Sequence, residues 1–112
     1  MVKVIILLRF NSRTSGDEES YNDLLMMFEA LPGLRKKAVN NVYSGPGGLV
    51  PFRTAIELTF SDRESLEAAL TSEAGVAAGN ALLRLAGPDA VTLFAHVMEE
   101  DFPRESSSPP AL

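Results

Sequence analysis

The chain has 112 residues, 46% of them hydrophobic, which is enough for one domain with its own core. Its net charge of −5 and pI near 4.8 disfavour binding to nucleic acids or anionic membranes, because both partners require clustered basic side chains. The absence of cysteine excludes disulfides, thiol nucleophiles and cysteine metal ligands, and it fits a reducing cytoplasm. We therefore expect a soluble cytoplasmic protein.

The first predicted strand spans residues 2–10, and its residues 4–8 are apolar at odd and even positions alike. Such a strand should be covered on both faces. The apolar run is too short for the hydrophobic part of a signal peptide. Helices on one side of the sheet would cover one face, so a second copy of the chain is expected to cover the other.

A polar loop over residues 11–16 leads into the first predicted helix, with Ser15 or Asp17 as its N-cap. Five apolar residues recur at helical spacing and predict its buried stripe: Tyr21, Leu24, Leu25, Phe28 and Leu31. Met26 lies off this stripe, either as a partly exposed packing residue or as a contact to a partner chain or ligand.

The run LPGLRK, residues 31–36, marks the change from this helix to the second strand, since Pro32 and Gly33 disfavour a helix. That strand spans residues 34–43, and its polar Asn40 and Asn41 suit a sheet edge. The glycine-rich loop at residues 44–48 lacks phosphate-binding spacing and is interpreted as a flexible hairpin loop or lid.

The third predicted strand, residues 52–60, alternates so that Glu57 lies on the face opposite Ile56 and Leu58. Residues 61–64 match the S-x-x-E capping box, which predicts that Ser61 caps the second helix. Ser72 and Gly75 then interrupt or bend that helix, and a second segment runs to about residue 85. Residues 87–89 end it, and residues 90–98 form the last strand.

The order β-α-β-β-α-β predicts an α+β, ferredoxin-like fold, with a four-stranded antiparallel sheet and helices on one face. The domain spans residues 1–101, and residues 102–112, which include SSSPP, are predicted to be a disordered tail. Because the first strand is apolar on both faces, we expect a homodimer in which two sheets form a shared barrel.

Four segments resemble the EthD-like family of the dimeric α+β barrel superfamily. Residues 31–36 are similar to its LPGLRR turn, and residues 55–61 (AIELTFS) to its AELWFDS strand. Residues 65–70 (SLEAAL) and 87–91 (GPDAV) are similar to a helix and to the start of the last strand. Together these segments extend the resemblance over residues 1–98.

The resemblance implies a pocket between the helices and the sheet. Relatives in the wider superfamily include cofactor-free monooxygenases, lactone isomerases, cyclases and haem-handling enzymes, whereas most EthD-like members have no assigned activity. Many members carry a His-x-Pro pattern before the LPGL turn. Leu24 and Met26 stand at these positions here, so an activity that depends on that histidine is not expected.

Glu57 and His96 are the candidate catalytic residues. Glu57 is predicted in a central strand, where a buried carboxylate needs compensation. Either it pairs with Lys3, Arg9 or Arg35, or it acts as an acid or base whose pKa is raised in an apolar pocket. His96 lies in the last predicted strand, and its imidazole can transfer protons near neutral pH if it faces a pocket. It is otherwise a structural residue at a strand end or dimer interface.

Tyr43, Asn40 and Asn80 are the candidate ligand-binding residues, with Asn80 on a helix of small residues that would form a pocket wall. One histidine and no cysteine predict neither a metal site nor a tightly bound cofactor. The leading hypothesis is a dimer that binds a small oxygenated organic molecule, and transforms it, if at all, by cofactor-free proton transfer. The alternatives are a non-catalytic accessory dimer and, ranked last, haem handling through His96.

Overall fold

Four strands and three α-helices make up the fold in a computed structural model of the chain, which describes residues 1–9, 18–48 and 50–103. The strands are β1 (Val2–Leu8), β2 (Lys36–Asn41), β3 (Thr54–Phe60) and β4 (Ala90–His96). The helices are α1 (Glu18–Glu29), α2 (Arg63–Thr71) and α3 (Glu73–Leu85), and a short 3₁₀ turn at Gly87–Asp89 precedes β4.

Some predictions fall on residues outside these described ranges. They are the loop at residues 11–16 with its N-caps Ser15 and Asp17, and nearly all of the tail predicted for residues 102–112. Among the helices of the described residues, none has the length and hydropathy required to cross a lipid bilayer.

The four strands form one sheet in the order β2-β3-β1-β4, and every neighbouring pair is antiparallel. The predicted ferredoxin-like fold is therefore confirmed, with β2 at an edge and β3 in the centre as expected. The strand ends differ slightly from the prediction, since each strand pairs over six or seven residues.

The core lies between the helices and one face of the sheet. On β1 and β3 every second residue is buried there, as the period of two requires: Val2, Val4, Ile6, Leu8, Ile56, Leu58 and Phe60. The helices contribute Tyr21, Leu24 and Phe28 from α1, Leu66 and Ala69 from α2, and Ala78 from α3. These residues confirm most of the predicted helical stripe, although Leu25 is only partly buried.

The opposite face of the sheet carries no helix in the described part of the chain, and we call it the open sheet face. The strand register places on it Lys3, Ile5 and Leu7 of β1, Lys36, Ala38 and Asn40 of β2, Ala55, Glu57 and Thr59 of β3, and Val91, Leu93 and Ala95 of β4. Leu93 is 48% exposed. The apolar residues at both parities of β1 thus serve two different faces.

The turn predicted at residues 31–36 joins α1 to β2. Gly33 has a φ of +79°, in the left-handed region that glycine adopts without a steric penalty. Leu31 is buried, and the backbone N–H of Arg35 donates to the carbonyl of Thr59 at 2.8 Å. The turn therefore starts the pairing of β2 with β3.

The N-cap of α2 is Asp62, so the predicted capping box headed by Ser61 is wrong by one residue. The backbone N–H of Ser65 donates to Oδ1 of Asp62 at 2.7 Å, and this hydrogen bond lowers the pKa of the Asp62 carboxyl. Ser61 instead accepts a hydrogen bond from Arg35 at 3.1 Å. A carboxylate is the stronger acceptor at a helix N-terminus, where its charge also favours the dipole.

The predicted interruption of the second helix lies at Ser72, which separates α2 from α3. Its hydroxyl donates to the carbonyl of Ala69 at 2.5 Å and accepts from the backbone N–H of Gly75 at 3.1 Å. One side chain therefore ends α2 and caps α3. Gly75 packs against the end of α2, because a Cβ there would collide with the carbonyl oxygen of Ala69 and lie 2.7 Å from that of Leu70.

We predict opposite effects for alanine at the two glycines of α3. Gly75→Ala should lower the free energy of unfolding, since the added methyl meets backbone that must move. Gly79→Ala should raise it by up to about 1 kcal/mol through helix propensity, because a Cβ at Gly79 meets nothing within 4 Å. Urea unfolding of both variants measures the difference, and equal effects would contradict the packing described for Gly75.

Candidate functional site

A cleft runs between β4 and the helices, and we call it the β4 cleft. β4 is an edge strand, and its helix-facing residues Thr92, Phe94 and His96 are exposed in the described part of the chain. Phe94 alone is 64% exposed. The helices cover β1 and β3 at the centre of the sheet, so the space beside β4 remains open.

One part of this cleft, the polar half, has a volume of about 340 Å³ and lies between α2 and the end of β4. Its charged or titratable lining residues are Arg63, Glu67 and His96. Nε of Arg63 and Oε1 of Glu67, one helical turn apart on α2, form an ion pair at 3.1 Å. The polar half thus combines hydrogen-bond donors with an imidazole that can transfer protons.

The other part, the apolar half, has a volume of about 170 Å³ and lies between α3 and the helix-facing side of β1 and β4. Among its lining residues in the described chain, Thr92 is the only one with a polar side chain. Cavities of about 150 Å³ with aliphatic and aromatic walls bind benzene. The apolar half is therefore large enough for one six-membered ring.

The resemblance implied a pocket between helices and sheet, and the β4 cleft lies in that place. A different cleft of about 420 Å³ lies between α1 and α3, lined by residues that include Ser20, Asp23 and Arg84. It contains none of the predicted site residues. No group of three or more histidine, aspartate or glutamate side chains suited to a metal ion occurs among the described residues.

Glu57 lies on the open sheet face, on the opposite side from the β4 cleft. Nζ of Lys3 lies 3.1 Å from its Oε1, and Nδ2 of Asn40 donates to its Oε2 at 2.9 Å. The predicted pairing of Glu57 with Lys3 is confirmed. The hydrogen bond from Lys3, followed by that from Asn40, holds the pKa of Glu57 below its ordinary value of 4.5.

This direction contradicts the interpretation of Glu57 as an acid or base whose pKa is raised in an apolar pocket. The Lys3–Glu57–Asn40 cluster favours the ionised carboxylate, because both partners donate hydrogen bonds to it. Burial acts in the opposite direction and is outweighed. The physical reason is the register, which places a lysine and an asparagine of the two neighbouring strands beside the carboxylate.

The predicted site residues do not form one constellation. Asn40 and Glu57 are in contact on the open sheet face, whereas His96 lies on the helix-facing side of β4. Tyr43 is 94% exposed in the segment after β2, and Asn80 is exposed on α3. Neither Tyr43 nor Asn80 lines the β4 cleft.

Sequence reasoning did not select Arg63, Glu67 or Leu70, although all three line the cleft. The sequence contained one indication of this cleft, since Phe94 lies on the same face of the last strand as His96. The contribution of α2 depends on how the helices lie across the sheet, and residue spacing along the chain does not define that arrangement.

Comparison with solved structures relates this arrangement to known proteins. An EthD family protein from Bacillus halodurans matches with a TM-score of 0.80 and 28% sequence identity, over 88% of this chain and 99% of that one. The predicted resemblance to the EthD-like family is confirmed. No family model matches the chain, and a search of curated proteins finds no match.

More distant structures share the fold. A dimeric ferredoxin-like protein of unknown function from Jannaschia matches with a TM-score of 0.65 and 17% identity, over 86% of this chain and 98% of that one. A hydroxynitrile lyase from Passiflora edulis matches with a TM-score of 0.68 and 17% identity, over 91% and 96% of the two chains. At these identities the likeness concerns the fold alone.

We predict that Glu57 stabilises the fold in a pH-dependent manner. Because its pKa is lowered in the folded state, its contribution is present above pH 4.5 and is lost as the pH falls through the folded-state pKa. Glu57→Gln should lower the free energy of unfolding by less than about 1 kcal/mol near neutral pH, since the ion pair is partly exposed. In strong acid it should leave the free energy of unfolding unchanged.

Urea unfolding between pH 7 and strong acid measures this effect. A double-mutant cycle with Lys3→Met separates the ion pair from the other contacts of Glu57. A cost of Glu57→Gln that grows as the pH falls would contradict the lowered pKa.

Proposed function

We propose that this EthD-like protein acts as a homodimer and that each protomer binds a small oxygenated organic molecule in its β4 cleft. The observation that carries the proposal is the junction of an apolar half, sized for a small organic group, with a polar half that contains His96. A pocket of this kind, mostly apolar with a few polar groups, is typical of small-molecule sites.

The open sheet face is the proposed dimer interface. Ile5, Leu7, Val91 and Leu93 form its apolar part on the adjacent strands β1 and β4. Apolar residues on such a face favour contact with another surface. The Lys3–Glu57–Asn40 cluster can enter this interface because its carboxylate is already paired and hydrogen-bonded. The dimeric description of the Jannaschia protein supports this assembly.

His96 is the proposed proton-transfer residue. It lines the cleft and is exposed, so a bound molecule can reach its ring nitrogens. It would remove a proton from a carbon next to a carbonyl, or return one, without a cofactor. Glu57 is ionised and lies on the other side of the sheet, which favours a structural role for it in the dimer.

A non-catalytic binding dimer is the second candidate function. The pairing of Glu57 with Lys3 favours it, since one of the two candidate catalytic groups has a structural partner. In this case the β4 cleft binds its ligand unchanged, and His96 contributes a hydrogen bond. The two candidates share the site and differ in whether a proton is transferred.

We predict a dimer that depends on Leu93. Light scattering at micromolar concentration should give twice the 12.1 kDa of one chain. Leu93→Glu should give the monomer mass, because it places an unpaired charge in the apolar part of the interface. Leu83→Glu is the matched control, since Leu83 is 66% exposed on α3 and should leave the dimer intact. A monomer mass for the unmodified chain would refute the proposal.

We predict that His96 accelerates proton exchange in bound ketones. Small ketones and lactones in D₂O should gain deuterium next to the carbonyl faster with the protein than without it, as measured by proton NMR. His96→Gln should slow this exchange at least 100-fold, within the range for loss of a general base, and ligand affinity should change little. Glu57→Gln serves as the control and should retain the rate.

Ligand binding without any exchange would select the non-catalytic dimer. Full exchange in His96→Gln would refute the role of His96 as the base. Exchange lost in Glu57→Gln, with the dimer intact, would restore Glu57 as the catalytic candidate.

A further inference from the structure

The two halves of the β4 cleft share two walls, Leu70 of α2 and Phe94 of β4. A molecule that occupies both halves would therefore contact both of these side chains, with one end in each half. The apolar and polar groups of such a ligand must lie at opposite ends.

The apolar half limits the size of the ligand's apolar end. Its volume of about 170 Å³ exceeds only slightly that of a cavity that binds benzene. Its walls include Phe28, Leu31 and Leu58, which are core residues and cannot move aside without disturbing the fold. A single ring fits this space against the core residues, and a fused second ring would project out of it at the rim formed by the exposed residues Gly79 and Phe94.

The polar half determines which chemical group suits the ligand's polar end. Glu67 balances the charge of Arg63, so this half carries no net positive charge to attract an anion. Arg63 uses Nε for its ion pair, while a guanidinium has further N–H donors, and the imidazole of His96 is also exposed. The overall charge of −5 further disfavours an anionic ligand. An uncharged oxygen acceptor, such as a carbonyl, is the group that these donors match.

We propose that the ligand of the β4 cleft is a neutral, single-ring carbonyl compound, with its ring in the apolar half and its oxygen facing Arg63 and His96. This inference rests on the proposed function and adds the size and charge of the ligand to it. Gly79 then leaves room for the ring, because it lines the apolar half and a Cβ there meets nothing within 4 Å.

NMR titration of the full chain tests the proposal with three probes. Acetophenone has one ring and a neutral carbonyl, benzoate has one ring and a negative charge, and 2-acetylnaphthalene has two rings and a neutral carbonyl. Acetophenone should shift the resonances of Leu70 and Phe94. The other two probes should bind at least tenfold more weakly.

Two substitutions on α3 provide the matched comparison. Gly79→Leu should weaken acetophenone binding at least tenfold by filling the apolar half, and Gly79→Ala should have a smaller effect in the same direction. Ala77→Leu is the control, because Ala77 is exposed on α3 and does not line the cleft. It should leave the affinity unchanged, and circular dichroism checks that every variant is folded.

Each contrary result has a distinct meaning. If 2-acetylnaphthalene binds as tightly as acetophenone, the proposed size limit is wrong. If benzoate binds as tightly as acetophenone, the proposed neutrality of the ligand is wrong. In both cases the cleft remains the site. An affinity for acetophenone that Gly79→Leu does not change, with shifts outside the cleft, overturns this inference and the proposed function together.

Discussion

The helix layer covers only part of a four-stranded sheet, and the rest of the structure depends on this mismatch. Side chains alternate between the faces of a strand, so β1 buries Val4 and Ile6 beneath the helices and presents Ile5 and Leu7 on the open sheet face. The helices pack on β1 and β3, leaving β4 uncovered on its helix-facing side. One uncovered surface is extended and suits a second chain, whereas the other is concave and suits a small molecule.

Much of the fold could be predicted from local rules, because they act within a few residues. Gly33 marks the turn into β2, Ser72 marks the interruption between α2 and α3, and the alternation on β3 assigned Glu57 to the face opposite Ile56. The capping box failed because Asp62, one residue after Ser61, supplies a stronger acceptor. Serine and aspartate are both favoured N-cap residues, and the hydrogen bond to the backbone distinguishes them here.

The site was less predictable, because it depends on which elements lie beside one another. The partners of Glu57 follow from the register of three strands, which brings Lys3 and Asn40 to one carboxylate. The surroundings of His96 follow from the position of α2 over the end of β4. Both side chains were recognised as unusual from the sequence. Their assignment to opposite faces, which separates the proposed dimer interface from the proposed ligand site, required the sheet itself.

β4 carries both surfaces on one short strand, with Leu93 on the open sheet face and Phe94 and His96 in the cleft. The residues of the two surfaces alternate along β4, so only an odd or even position distinguishes them. A single inserted or deleted residue within β4 would therefore exchange them, moving the imidazole onto the open sheet face and a leucine into the cleft. Length variation in related chains should consequently avoid this strand and collect in connections such as residues 42–48, where no such alternation has to be kept.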